Sequence, residues 1–150
     1  MAEWVLDTWA LKIAQDCNHA KSLQVLTLLE EIKQKHRIAL DHGRQVLTQY
    51  FSNTPGNTHA GQWLKLILSR NDKLFFRTGK LSNRHELALI DRLHFDRSDL
   101  VFVALAAEGP DKVLVAEESD YTPEVKEYLA GELGVSVLTI EKALESSRSF

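Results

Sequence analysis

The sequence predicts an α/β fold, a three-layer α/β/α sandwich with a central parallel sheet, on three observations. Short apolar runs alternate along the chain with longer stretches whose apolar residues recur at helical spacing. The runs "WVLD" and "HRIALD" each stop on an aspartate, and "KVLVAE" stops on a glutamate. No internal repeat or low-complexity tract interrupts the alternation, so one domain accounts for residues 1–150.

The first strand lies in "EWVLDTW" and ends at Asp7. Over residues 21–35, Val25, Leu28, Leu29 and Ile32 share one face of a helix. "HRIALD" (36–41) is a second strand, followed by a short amphipathic helix in "GRQVLTQYFSN". "NTPGNTHAG" (53–61) has the Pro, Gly and Asn content of a loop. A helix in "QWLKLILSRN" and an extended piece in "KLFFRTG" come next. Asn83 and Glu86 have capping-box spacing ahead of "RHELALIDRL".

"DLVFVALAA" is apolar almost all round, which suits a buried helix or a buried strand equally well. Its ends decide for a helix. Ser98 suits the N-cap, Asp99 suits the positive end of the dipole, and Gly109-Pro110 is a helix stop. "KVLVAE" is then a strand. Thr122-Pro123-Glu124 opens a helix that closes at Gly134. "VSVLT" and "IEKALESS" are the last strand and helix.

Composition narrows the function classes. Hydrophobic residues make up 44% and charged residues 26%, ordinary values for a globular protein. No apolar run approaches the roughly 18 residues of a membrane span, and "MAEWVLDTW" has no basic leader, so no membrane partner is expected. Cys17 is the sole cysteine, which excludes an intramolecular disulfide and a cysteine-rich zinc site and suits a reducing, cytoplasmic compartment. No histidines have His-x-x-x-His spacing, and "FFRTGKLS" lacks the first glycine of a phosphate loop. Trp4, Trp9 and Trp63 read as core or interface anchors rather than base-stacking platforms. Residues 62–97 carry eight basic and four acidic side chains, so this stretch is +4 within a chain of net charge −3. Arg77, Lys80 and Arg84 are the candidates there to grip a nucleic-acid backbone. The competing reading is an ordinary solvated basic face.

In such a sheet, functional groups collect beyond the carboxyl ends of strands. Asp7 and Asp41 end strands, Glu118 and Asp120 follow a later one, and Asp99 opens the buried helix. Each acid taken singly could cap a helix or a turn. Together, carboxylates on one rim repel each other unless a cation neutralises them, and oxygen-only ligands select Mg2+ or Mn2+. Such ions can hold a phosphodiester and activate water.

These residues carry a family resemblance. "WVLDTW" is similar to the opening strand of PIN-domain nucleases, "SDLVFVALAA" to their Asp-x-x-Phe-Val-Ala-x-Ala segment, and "VLVAEESDY" to their Val-Thr-x-Asp-x-Asp-Phe segment. "VSVLTIEKAL" resembles their closing strand and helix, so short motifs match in order along the whole chain. The resemblance implies a metal-dependent endoribonuclease acting on RNA. Its catalytic and metal-site acids would be Asp7, Asp99 and Glu118, with Asp120 beside them. Only the resemblance suggests a toxin with a protein inhibitor or antitoxin as partner, or a homodimer. The sequence departs from the family at Gln49-Tyr50, where Glu-Tyr is common, and at Glu118, where Asp is usual. Asp41 or Asp96 could supply the missing charge, with Gln49 as a neutral ligand or hydrogen-bond partner. The alternative is a catalytically silent PIN-like module that binds RNA or a protein.

Overall fold

The computed structural model describes residues 1–117 and 121–149. Among them, five parallel strands form one sheet in the order β3-β2-β1-β4-β5. These are β1 (Glu3–Leu6), β2 (Arg37–Asp41), β3 (Leu74–Arg77), β4 (Val113–Val115) and β5 (Ser136–Leu138). Helices cover both faces, which makes the predicted three-layer α/β/α sandwich. The central strand β1 is buried at all four positions, because a parallel sheet covered on both faces has no wet side. Its register pairs Trp4 with Ile38 of β2 and Leu6 with Val115 of β4.

Eight helices are described: α1 (Thr8–Gln15), α2 (Ser22–Lys35), α3 (Gln45–Asn53), α4 (His59–Leu68), α5 (Asn83–Leu87), α6 (Leu100–Glu108), α7 (Pro123–Tyr128) and α8 (Ile140–Ser149). Helices α5 and α7 continue into π turns at Ala88–Arg92 and Leu129–Leu133. The segment of uncertain type is α6, buried from Val101 through Ala106 against β1, β2 and β4. An all-apolar surface suits a helix with no solvent face. On the other side of the sheet α2 packs against α1, α4 and α8.

Local chemistry departs from the sequence reading in three places. Helix α1 is an element beyond those read from the sequence: the chain leaves β1 at Leu6 and turns helical at Thr8, with Ala10, Leu11 and Ala14 buried along one face. Ser82, not Asn83, occupies the N-cap of α5 and accepts from the His85 amide at 3.5 Å. Ahead of α6, Asp96 caps a short 3-10 turn (Arg97–Asp99), and Asp99 rather than Ser98 takes the N-cap position of the helix itself. Thr122 and Pro123 open α7 as expected, and Gly134 ends its π extension at φ +68°, a left-handed conformation that suits glycine.

Candidate acidic site at the sheet switch point

From β1 the chain steps outward through β2 to β3, and from β4 it steps the opposite way to β5. Where β1 and β4 lie side by side the connections diverge and leave a crevice beyond the strand ends, the usual ligand position in open α/β sheets. Asp7 follows β1 directly, and Glu117 lies two residues beyond β4. Both line one cavity of about 490 Å3, together with Asp99 and Gln49.

The acids separate by what their carboxylates do. Asp41 is buried at the end of β2 and accepts from the Gln45 and Val46 amides, both at 2.9 Å, so it holds the start of α3. Asp96 accepts from the Ser98 amide and hydroxyl, both at 2.9 Å. The amide bond comes first among the causes that hold the Asp96 carboxyl below the usual range. These two serve as caps, and neither lines the cavity. Asp7 and Asp99 also occupy N-cap positions, of α1 and α6, yet neither side chain makes a capping hydrogen bond. A cap acid normally accepts from the amides that a helix start leaves unpaired. Asp7 and Asp99 instead line the cavity.

Four hydrogen bonds position the segments that carry them. The Asp7 amide donates to the Val115 carbonyl at 3.0 Å, which ties the end of β1 to β4. The Tyr50 hydroxyl donates to the Leu6 carbonyl at 2.6 Å, one residue before Asp7. Burial, then the charge of Asp7, pushes the Tyr50 phenol above its ordinary range, so it stays a neutral donor. Gln49 joins the two acid-bearing segments: its Oε1 accepts from the Thr8 hydroxyl at 3.1 Å and its Nε2 donates to the Ser98 carbonyl at 2.9 Å. A glutamate could make only the first of these bonds.

Glu118 and Asp120 lie outside the described residues. Glu117, Trp9, Lys12 and His19 line the cavity, although sequence pattern does not single them out as site residues. Glu117 belongs to the same acidic run, and recognition of α1 would have put Thr8, Trp9, Lys12 and Ile13 on one helix face. Among the described residues, no group of three or more His, Cys, Asp or Glu side chains could hold a metal ion. The carboxylate oxygens of Asp7, Asp99 and Glu117 are the right donor type for a hard cation, while the described set falls short of a complete shell.

The basic stretch sits elsewhere. Arg77 Nε donates to Glu3 Oε2 at 2.7 Å and its Nη2 to Glu3 Oε1 at 3.1 Å, with the guanidinium 4.3 Å from the Phe75 ring centroid. That ion pair raises the Arg77 pKa and commits its charge inside the protein. The Lys80 side chain is exposed, and its backbone turn is held by Glu108, which accepts from the Thr78, Gly79 and Lys80 amides. Arg84 lines a separate hollow of about 510 Å3 with Tyr128 and Glu132. None of the three lines the acidic cavity. No protein-family model matches the sequence, and neither a curated protein nor a solved structure matches the chain.

Proposed function

We propose that residues 1–150 form one PIN-like domain, an endoribonuclease that hydrolyses RNA phosphodiester bonds with Mg2+ or Mn2+ at the acidic cavity. The observation that carries this reading is the convergence of Asp7 and Asp99, 92 positions apart in the sequence, with Glu117 on the switch-point cavity. The cation would be held by the first two carboxylates and an acid from the run after β4, with Glu117 joining the candidates Glu118 and Asp120. Bound there, it would supply neutralising charge for a phosphodiester and a lowered pKa for an attacking water. The chain contributes rigidity. Backbone pairing to β4 and the Tyr50 bond to Leu6 fix Asp7, and the buried helix α6 fixes Asp99. Fixed placement of reacting groups is worth several kcal/mol of barrier.

A manganese titration of thermal unfolding tests the reading. Ligand at 100-fold excess over its dissociation constant stabilises the folded state by about 2.7 kcal/mol. For a domain of this size that raises Tm by roughly 5–10 °C. Absence of any shift in the wild type removes the metal from the proposal. The silent module then takes precedence, a reading already favoured by the neutral Gln49 and the incomplete acid set among the described residues.

Gln49→Glu separates the two further. Without metal, the new carboxylate keeps the Thr8 bond, loses the bond to Ser98 and faces that carbonyl, at a cost of about 1–3 kcal/mol. With manganese, the added charge tightens binding, since ligand charge tunes hard-cation affinity. Expected together are a lower urea midpoint in EDTA and a lower manganese dissociation constant. Unaltered values for both would show that position 49 exerts no electrostatic influence on the cavity.

A further inference from the structure

One wall of the acidic cavity belongs to α1 and the turn after it, and its chemistry differs from that of the acids. Thr8, Trp9, Lys12 and Ile13 lie on one face of α1 and all line the cavity. The three tryptophans divide accordingly. Trp4 is fully buried, and Trp63 is buried with its indole Nε1 donating to the Leu29 carbonyl at 2.7 Å, so both are core. Trp9 is only half-buried and borders the cavity, against the sequence-based expectation that it is an anchor like the others. Lys12 is exposed one helical turn from Thr8, and among the described residues it makes no ion pair.

His19 completes the wall. Its Nδ1 accepts from the Lys21 amide at 3.0 Å, which leaves Nε2 as the protonated, donating nitrogen. The turn that carries it is braced, with the His19 amide donating to the Asp16 carbonyl at 2.9 Å and the Asn18 amide to the Asp16 carboxylate at 3.1 Å. A half-exposed indole beside an ammonium and an imidazole N–H matches what one nucleotide presents, an apolar base face joined to an anionic phosphate.

We propose that Trp9, Lys12 and His19 form a subsite for one nucleotide of a single-stranded RNA next to the acids, its base on the indole and its phosphate on Lys12 and His19. This rests on the nuclease reading of the cavity. The strand is single because a base must leave its helical stack to lie against a side chain. The subsite also gives the cavity a cation, Lys12, and an imidazole N–H donor, His19, that Arg77, Lys80 and Arg84 do not supply.

The test uses the full chain and a hexamer of uridylate in EDTA, so that no cleavage intervenes. Binding is read by fluorescence anisotropy of labelled RNA and by tryptophan emission. Binding to wild type should quench part of the emission. Trp9→Leu should weaken binding roughly tenfold and remove the quench. Trp9→Phe should restore most of the affinity while emission stays unquenched, which separates stacking from a folding defect. Lys12→Gln combined with His19→Asn should flatten the dependence of log Kd on log salt, by roughly 0.7 for each phosphate no longer neutralised. Asparagine is chosen because its Oδ1 can still accept from the Lys21 amide while Nε2 is gone. Equal affinity, quench and salt slope in all variants would overturn the subsite and leave the acid site standing, if wild type responds to manganese. Competition by an RNA duplex as strong as by the single strand would overturn the single-strand assignment. Failure of wild type to bind RNA would overturn the subsite, and failure to respond to manganese would overturn the nuclease reading on which it rests.

Discussion

Asp7→Asn is expected to reduce manganese-dependent RNA cleavage by more than about 100-fold, because even residues that merely orient metal ligands cost about 10–100-fold when replaced. Asparagine has nearly the volume of aspartate, so the packing around a side chain that is only 4% exposed is retained. What changes is charge. The amide oxygen offers one neutral donor to a hard cation where the carboxylate offered a negative one. The manganese-induced rise in Tm should shrink or vanish in the same variant, while far-UV circular dichroism stays that of wild type. Measured side by side, the two readouts tie activity to cation binding. Wild-type cleavage rates in Asp7→Asn would sink the assignment of Asp7 to the reaction, whatever the other acids do.

Arg77→Ala is expected to destabilise the fold by about 3 kcal/mol, near the low end of the range for breaking a buried ion pair. The Glu3 carboxylate is 1% exposed and lies in the central strand, while its partner Arg77 is 19% exposed. Without the 2.7 Å ion pair, Glu3 keeps, among the described residues, only the ion pair to Arg37 at 3.5 Å. The penalty therefore comes mainly from a desolvated charge deprived of its best partner. Replacing Glu3 and Arg77 together by methionine removes that charge as well, and the double variant should recover most of the stability in urea unfolding. Because Arg77 is spent on Glu3, the single variant should leave the salt dependence of RNA binding unchanged. A fall in that slope would return Arg77 to the nucleic-acid surface.

These effects mark how far sequence pattern reaches. The strands, the buried character of α6 and the opening of α7 were legible because each depends on neighbours within a few residues: apolar period, a Thr-Pro start, a Gly-Pro stop. Helix α1 was not, since "WVLDTW" continues the apolar run of β1 through Trp9 and hides the change of period after Asp7. That omission also concealed Trp9 and Lys12 as cavity residues. The cap positions at Ser82 and Asp99 shifted by one place, because Ser, Asn and Asp are nearly interchangeable as N-caps.

By itself the sequence determined the α/β/α class and the presence of carboxylates after the strands, since both follow from periodicity and from the residue that ends each run. Only the tertiary structure decided which acid has which task. Asp7, Asp41, Asp96 and Asp99 all stand at the start of a turn or helix and look alike along the chain. Asp41 and Asp96 accept from amides of the turns they open, whereas Asp7 and Asp99 line the cavity beside which the order of strands sets β1 next to β4. The fate of Arg77 has the same origin. Its partner Glu3 lies 74 positions away, and hydrogen bonds across such a separation are set by packing, which leaves no periodic trace in the sequence.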